Sequence, residues 1–489
     1  MVLPSTPSSR LQSLWLDCRA DALAGTLSHA RALQLVQLAV EAGRWDRLQR
    51  WLPPLLLAGV GLGERSGSAV AIAAWFRNQQ RPVEAMLCLE VVPWDQVDAH
   101  AWLLRGAVEH ALDRFPEAQL SLARAITEHS IQGTVAYHLG ELHRSLAQFD
   151  QAAGWYLASL AIDPSHRASH DCLQYTRFSV ALLPRVIRDY QHLVEQVPKQ
   201  ALPRQLLAHY LLQSGRRAEA LLACRQASRL ELGSLTAQLA PEDTPAIPPE
   251  FVIAGVPKGG TTSLLHCLSH HPSLWCHPRK ELHFFDEAFS LGEAWYMAQF
   301  PLFLSELGIL RGEATPNYFN HPLVPERIAS LTPQLRCIVL LRDPIDRAIS
   351  WIQHLRRFEG LKGNVETLLR HEFKCLEAVN DEARMRLEVF GTGALQGSCY
   401  DTPYKRWMQH IPARQLLLVK SERLFQQPGQ QLAVVLNFLG LDQDVTKLLS
   451  AWRPINVNPA PVEIISAGLR SDLERFFAMH SHLYSDIDL

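Results

Sequence analysis

The sequence predicts two folding units of different class, an α-helical unit followed by an α/β unit with a central parallel sheet. The chain has 489 residues, which is more than one hydrophobic core usually organises. From about residue 20 to 235 it is rich in Ala and Leu with helical periodicity. Beyond residue 250, short apolar runs typical of strands alternate with helical patterns. A Pro-dense segment between them cannot continue a helix. We therefore expect a helical domain at 1–240, a linker at 241–249 and an α/β domain at 250–489.

Composition and charge exclude several classes of protein. The chain carries 47 Lys and Arg against 49 Asp and Glu, a formal net charge of −2. This balance argues against sequence-independent binding of nucleic acid or of an anionic membrane, although a local basic pocket could still bind a small anion. Apolar residues make up 47% and charged residues 20% of the chain, so we expect both units to be folded.

The cysteines and the apolar segments bear on the compartment. Nine cysteines are scattered without a CxxC pair, which is typical of reduced thiols rather than of a disulfide framework. Residues 1–20 lack the pattern of a secretory signal. The most apolar stretch, Trp51 to Gly61, is about half the length that a spanning helix needs. We expect a cytoplasmic protein without a membrane span.

The helical half repeats itself at an interval of 34 residues. Gly106 and Gly140 are 34 apart, Ala118 and Ala152 are 34 apart, and Ala220 follows Ala152 after two such intervals. A small residue twelve positions before each alanine would let the first helix of a pair approach the second. This pattern resembles the tetratricopeptide repeat, whose helical pairs stack into a solenoid. The resemblance implies a surface for a protein or peptide partner or for self-association. A merely structural helical domain remains the alternative.

A glycine-rich turn between a strand and a helix carries the first chemical signal. Residues 250–268 read EFVIAGVPKGGTTSLLHCL. The backbone N–H groups of such a turn, together with the positive end of the helix dipole, bind phosphate-like anions. The candidate ligands are Lys258, Gly259, Gly260, Thr261, Thr262 and Ser263.

The turn departs from the nucleoside-triphosphate loop GxxxxGK[ST] at one position. Gly255 and Gly260 have the required spacing, but Thr261 stands where the lysine is needed. That lysine reaches the β- and γ-phosphates in an ATPase, and an acidic residue holds magnesium. No apolar strand ending in a suitable Asp stands out here. We expect an anion without a γ-phosphate and metal, and a P-loop kinase is the less favoured alternative.

Three later segments follow the turn in a fixed order. They read RKELHFFD at 279–286, GEATPNYF at 312–319 and LRCIVLLRDPIDRAISW at 335–351. Together with the PKGGTTSL turn they resemble the sulfotransferases that use 3′-phosphoadenosine 5′-phosphosulfate, in particular the heparan-sulfate 3-O-sulfotransferases and their bacterial relatives. The resemblance covers about 250–485. It implies a P-loop-type α/β fold, this nucleotide as the sulfuryl donor, and no metal.

The resemblance also implies roles for individual residues. Glu281 is the candidate general base, because an attacking hydroxyl must lose its proton. Lys258 and the turn would hold the 5′-phosphosulfate and stabilise charge on the transferring group. The other implied roles are 3′-phosphate binding by Arg342 and Ser350, a position near the donor for Tyr400, and shaping of the acceptor site by His283 and Asp286. Glu313 is either a second carboxylate of the site or a structural partner of a basic residue.

The sequence departs from the heparan-type pattern at two places. Ala314 stands where that family often has a lysine facing the acceptor, and a basic stretch near the C-terminus is absent. These differences place a sulfated polysaccharide acceptor in doubt and leave the transfer chemistry intact. The acceptor could be a small alcohol, a glycan, a lipid or a peptidyl group. A repeat scaffold with a non-catalytic nucleotide-binding module is a further alternative.

Overall fold

The computed structural model describes residues 7–24, 28–45, 62–95, 97–230, 247–301, 308–378, 393–455 and 463–487. Its contacts divide the chain into two compact units, with the main division between Ser169 and His170. The linker expected at 241–249 lies mostly outside the described residues, so that boundary stays a prediction. The helices that follow residue 170 belong to the same unit as the strands.

The first unit consists of helices in the part of the chain described. They are Pro7–Ala24, His29–Glu41, Leu62–Asn78, Pro82–Leu89, Ala99–Ala111, Phe115–Ala125, Gln132–Ser145 and Phe149–Ile162. A Cβ atom on Gly106 would lie 2.7 Å from Leu122 Cγ, and one on Gly140 would lie 2.5 Å from Tyr156 Cε1. Glycine at these positions therefore permits the close helix approach that the spacing predicts.

The turns between paired helices recur with the same interval. Asp113, Ala147 and Gly215 all have a positive φ, and they stand 34 and 68 residues apart. The next residue in each turn donates its N–H to a carbonyl five positions back, at 2.9 Å. This local geometry is the left-handed end of one helix before the next. The helical repetition is thus observed, while the tetratricopeptide class and its partner stay predictions.

The second unit begins with helices and continues into a sheet. Its first helices are Arg167–Gln174, which starts three residues before the division, Leu183–Gln196, Ala201–Gln213 and Arg217–Leu230. The strands are β1 Phe251–Gly255, β2 Leu274–Cys276, β3 Leu310–Ala314, β4 Arg336–Leu341 and β5 Leu416–Lys420. They form one parallel sheet in the order β2-β3-β1-β4-β5. The expected α/β class with a central parallel sheet is confirmed.

The α/β part also contains helices that alternate with the strands or follow them. They are Thr261–Leu268, Glu293–Met297, Val324–Leu331, Pro344–Phe358, Val365–Glu377, Asp401–His410, Ser421–Gln426, Pro428–Phe438, Thr446–Ala451, Ala467–His480 and His482–Asp486. All five residues of β1 are buried, as expected of a central strand covered on both faces. Because neighbouring parallel strands end at the same edge, the residues that follow β3, β1 and β4 lie side by side there.

Two further observations concern the chain as a whole. All nine cysteines are free thiols. Among the helices described, none combines the length and the apolar character needed to cross a bilayer.

Candidate functional site

Three segments that the sequence singled out meet at the carboxyl edge of the sheet. The turn after β1 contains Lys258, whose backbone carbonyl accepts a hydrogen bond from Arg342 Nη1 at 3.3 Å. Arg342 directly follows β4. The backbone N–H of Glu281 donates to the carbonyl of Ala314, the last residue of β3, at 2.9 Å. The order of the strands therefore brings three features together. They are the glycine-rich turn after β1 that contains Lys258 (the anion turn), the candidate base Glu281, and the segment after β4 that begins with Arg342.

The turn after β1 is packed tightly against the sheet. Gly259 donates its N–H to the Val256 carbonyl at 2.9 Å. A Cβ atom on Gly259 would lie 2.6 Å from the Leu340 carbonyl oxygen of β4. Gly260 has a φ of 93° and immediately precedes the helix Thr261–Leu268. Glycine is thus required twice, once for close approach and once for a left-handed conformation. The resulting turn ends at a helix N-terminus, a favourable position for an anion.

The three hydroxyls after the turn are not equivalent. Thr262 is partly exposed, whereas the side chains of Thr261 and Ser263 are buried. Ser263 Oγ accepts a hydrogen bond from the N–H of Ile455 at 2.9 Å. Ser263 therefore stabilises the position of the segment at Ile455. Its contact with an anion stays a prediction.

Cations are concentrated around the turn. Burial, together with the positive charges of Lys280 and Arg342, lowers the pKa of Lys258 to about 8, while the negative charge of Glu281 opposes this shift. Lys258 also has a φ of 70°, a conformation that is uncommon for residues other than glycine. The site thus holds several cations at a cost in free energy that a bound anion would relieve.

Glu281 is an ionised carboxylate held between two cations. Its Oε1 accepts from Lys280 Nζ at 2.7 Å, and its Oε2 lies 3.6 Å from His283 Nε2. Burial opposes ionisation, but Lys280 and His283 more than offset it and hold the pKa of Glu281 well below its usual range. Glu281 also has a positive φ, 65°. Such a conformation costs about 1–3 kcal/mol and persists only where the surroundings impose it.

His283 links Glu281 to a second carboxylate. Its Nδ1 lies 2.8 Å from Asp286 Oδ2. Burial lowers the pKa of His283, but Asp286 and Glu281 outweigh this and raise it to about 10. His283 is therefore an imidazolium at neutral pH. Donor atoms of His283, Asp286 and Glu287 lie within 4.8 Å of one another, and a metal ion would bind there only by displacing the proton of the imidazolium.

Glu313 lies beneath the site rather than on its surface. It is fully buried, and it accepts hydrogen bonds from Thr315 Oγ1 at 2.6 Å and Tyr318 OH at 2.8 Å. The Tyr318 oxygen in turn accepts from the N–H of Phe284 at 2.9 Å. Burial raises the pKa of Glu313 to about 7, although both hydroxyls oppose this shift. These contacts indicate support for the segment that carries Glu281, and neither predicted role of Glu313 is tested by them.

The segment after β4 forms the second candidate anion site. Asp343 accepts from the N–H groups of Ile345 at 3.0 Å and Asp346 at 2.9 Å, so it caps the helix Pro344–Phe358. Arg342 and Ser350 are partly exposed at the start and middle of this segment. Tyr400 is fully buried, and its hydroxyl donates to the Arg342 carbonyl at 2.9 Å. Tyr400 therefore acts on this site through the backbone of Arg342.

Arg347 was not predicted from the sequence, and its side chain donates a hydrogen bond to the backbone of the anion turn. Its side chain is buried, and it donates through Nε to the Pro257 carbonyl at 3.1 Å and through Nη1 to the Ala394 carbonyl at 2.8 Å. The available signal was an arginine in the apolar face of the helix that follows Arg342. An arginine in that position is seldom buried unless its N–H groups have partners.

Comparisons with known proteins agree with this arrangement. Residues 248–458 match the family model described as "Sulfotransferase domain". The chain is 36% identical over 199 residues to heparan sulfate glucosamine 3-O-sulfotransferase 3B1 of Homo sapiens, which covers 40% of this chain and 47% of that protein. It is 31% identical over 199 residues to bifunctional heparan sulfate N-deacetylase/N-sulfotransferase 1 of Xenopus tropicalis, which covers 40% of this chain and 22% of that protein. The chain thus spans about half or less of the length of these relatives.

Among solved structures, a sulfotransferase from Alicyclobacillus acidocaldarius is 25% identical, with 49% of this chain and 96% of that chain covered and a TM-score of 0.39. From the family match and the curated relatives, the chain contains a sulfotransferase domain and has heparan sulfate sulfotransferases among its homologues.

Proposed function

We propose that the protein transfers a sulfuryl group from 3′-phosphoadenosine 5′-phosphosulfate to an acceptor hydroxyl or amine. One observation carries this proposal. At a single edge of the sheet, a glycine-rich anion turn, the cationic segment after β4 and the ionised carboxylate of Glu281 lie together. The match of residues 248–458 to the sulfotransferase domain supports the same conclusion.

The two anionic groups of the donor fit the two cationic segments. The N–H groups of the turn, Lys258 and Thr262 bind the 5′-phosphosulfate, and Arg342 with Ser350 binds the 3′-phosphate. Arginine suits this second role because its planar, permanently charged fork matches phosphate geometry. Since burial and the neighbouring cations lower the pKa of Lys258 in the free protein, a bound dianion raises it again and strengthens the interaction.

In the transfer step the acceptor oxygen attacks sulfur and forms a new O–S bond. The bond from sulfur to the bridging phosphate oxygen breaks, and its electron pair leaves with 3′-phosphoadenosine 5′-phosphate. Glu281 takes the acceptor proton, while Lys258 and the N–H groups of the turn stabilise the charge on the sulfuryl group and the departing phosphate. His283, protonated and bonded to Asp286, orients the carboxylate of Glu281.

The ion pair between Lys280 and Glu281 also affects the proposed reaction. A carboxylate whose pKa is strongly lowered is a weak base, since efficient general bases have a pKa near the working pH. The sulfuryl oxygens of the donor compete for the Lys280 ammonium group, which lies 2.7 Å from Glu281 Oε1. Donor binding therefore raises the pKa of Glu281 and makes it a better proton acceptor at the moment of transfer.

The acceptor is defined only by class. Ala314 is fully buried and supplies no charge, so this position offers nothing to a sulfated chain. We propose a less anionic acceptor among small alcohols, glycans, lipids and peptidyl groups.

Ligand-induced heat stabilisation tests the proposal. A ligand at a hundred times its Kd stabilises the folded protein by about 2.7 kcal/mol. We expect 3′-phosphoadenosine 5′-phosphate to raise the melting temperature, and magnesium-ATP to leave it unchanged. Lys258→Ala should abolish the shift, whereas Lys447→Ala, which removes an exposed lysine elsewhere in the same unit, should retain it. A shift with magnesium-ATP alone would contradict the proposal and favour the kinase alternative.

A further inference from the structure

The carbonyl that precedes the candidate base is held by side chains from the helical part of the second unit. Gln174 ends the helix Arg167–Gln174 and donates through Nε2 to the Lys280 carbonyl at 2.8 Å. Tyr175 follows it and donates its hydroxyl to the same oxygen at 3.3 Å. These residues stand more than a hundred positions earlier in the chain, in the region where the sequence predicts a partner-binding repeat.

The peptide unit between Lys280 and Glu281 has both of its polar groups, the carbonyl and the N–H, in hydrogen bonds. The Lys280 carbonyl accepts from Gln174 and Tyr175, and the N–H on the other side of the same peptide bond, that of Glu281, donates to Ala314 at 2.9 Å. The orientation of this peptide plane sets φ of Glu281, which is 65°. A positive φ in a glutamate relaxes unless its flanking peptides are held. The two donors from the helical part supply one half of that restraint.

Further hydrogen bonds connect the helix Arg217–Leu230 to the α/β part of the unit. Ser228 Oγ donates to the Ala298 carbonyl at 2.7 Å, and Gln299 Nε2 donates to Cys224 Sγ at 3.0 Å. The side chain of Arg279, which precedes Lys280, is buried, and it interacts electrostatically with Tyr175 and Tyr210. The helical part therefore contacts the chain on both sides of the candidate base.

We infer that Gln174 and Tyr175 are positioning residues for Glu281, an inference that rests on the proposed sulfuryl transfer. Among the contacts of the described residues, neither side chain touches the anion turn or the reacting atoms. They act by fixing the peptide between Lys280 and Glu281, so the helices at 167–230 form part of the catalytic unit rather than a separable partner-binding module. Misplacement of a catalytic group by a fraction of an ångström lowers the rate without changing donor binding.

The full-length variants Gln174→Ala and Tyr175→Phe test this inference, with Ser228→Ala as the matched control. Ser228→Ala removes a hydrogen bond between the helix Arg217–Leu230 and the α/β part, and it leaves the contacts of Lys280 unchanged. Two measurements are made on each protein. The first is transfer of labelled sulfate from 3′-phosphoadenosine 5′-phosphosulfate to a heat-treated extract of the producing cells, with 3′-phosphoadenosine 5′-phosphate affinity measured separately. The second is hydrogen exchange of the backbone amides in the peptide 279–286.

We expect Gln174→Ala to lower the rate of transfer at saturating donor on the order of tenfold, Tyr175→Phe to lower it less, and both to retain nucleotide affinity. Exchange of the Glu281 amide should be faster in both variants and unchanged in Ser228→Ala. Wild-type transfer rate and exchange in both variants would overturn the inference, as would an equal loss of transfer rate in Ser228→Ala, which would indicate a general effect of helix packing. If the wild-type protein neither binds nucleotide nor transfers sulfate, the proposed function fails, while the exchange measurement still decides whether these side chains hold the peptide.

Discussion

Replacing Gly259 by alanine should weaken donor binding while the fold is retained. The added Cβ would lie 2.6 Å from the Leu340 carbonyl oxygen and 3.0 Å from that of Val256. Ordinary contact begins at 3.4 Å, so the turn must move away from β4 by several tenths of an ångström. Backbone oxygens in a central strand cannot yield, so the turn itself is displaced. Overpacking of this kind costs about 1–3 kcal/mol.

The displacement should appear mainly as lost affinity. A change of 1.4 kcal/mol is about a tenfold change in Kd, so the strain corresponds to a loss of about five- to a hundredfold if the bound state must restore the original turn. Isothermal titration calorimetry with 3′-phosphoadenosine 5′-phosphate measures this loss directly. Gly468→Ala is the matched control, because a Cβ there meets no atom within 4 Å.

Gly259→Ala should not bind the nucleotide as tightly as the wild-type protein and Gly468→Ala do, and equal affinity would contradict a role of the turn in binding. Circular dichroism and the melting temperature show whether the variant remains folded. A folded variant with wild-type affinity would mean that the turn does not contact the ligand, whatever its packing against β4.

Three further predictions concern other parts of the chain. Because burial raises the pKa of Glu313 from 4.5 to about 7, its contribution to stability is present below about pH 4.5 and is lost as the pH rises through 7. Urea unfolding at pH 5 and pH 8 should therefore show the wild-type protein losing about 2–3 kcal/mol more than Glu313→Gln, and an equal loss would contradict the assignment. In the first unit, Gly140→Ala places a Cβ 2.5 Å from the Tyr156 ring and should lower thermal stability by about 1–3 kcal/mol. Gly154→Ala, in open space on the paired helix, should not lower it, and equal melting curves would refute the close-approach argument. Tyr400→Phe removes the hydrogen bond to the Arg342 carbonyl and should weaken nucleotide binding by about 1 kcal/mol, so unchanged calorimetric affinity would argue against an indirect role.

The features that the sequence predicted well are local. The strand, turn and helix at 251–268 follow from an apolar run, glycines and an amphipathic pattern in one short stretch. Arg342 was expected at the end of a strand, and it follows β4. The shared site was predicted from the resemblance of these ordered motifs to the sulfotransferases, and the strand order then places the motifs at one edge of the sheet.

The features that could not be predicted depend on distant partners. Arg347 holds the Pro257 carbonyl and Tyr400 holds the Arg342 carbonyl, and no local pattern specifies which carbonyl a buried donor will reach. Ser263 Oγ accepts a hydrogen bond from the N–H of Ile455, a contact that the local sequence does not specify. Because the hydroxyl can still donate a hydrogen bond, its contact with an anion stays a prediction.

The contact-based division between Ser169 and His170 was not predicted from the sequence, and the boundary expected at 241–249 stays a prediction. Helices before and after residue 170 share the same periodicity and the same 34-residue turn spacing. Periodicity shows that a helix buries one face, but not which surface covers it. The contacts from Gln174 and Ser228 to the α/β part are made by single polar side chains, and these leave no trace in a repeat pattern.

The most direct test of the central claim is sulfuryl transfer by Glu281→Gln. This variant keeps the size of the side chain and removes its ability to accept the acceptor proton. We expect 3′-phosphoadenosine 5′-phosphate to bind as tightly as to the wild-type protein, or more tightly, because a negative charge near Lys280 and Lys258 is lost. Transfer of labelled sulfate at saturating donor should fall by at least about a hundredfold, the usual contribution of a general base. Transfer at the wild-type rate would show that Glu281 is not the base.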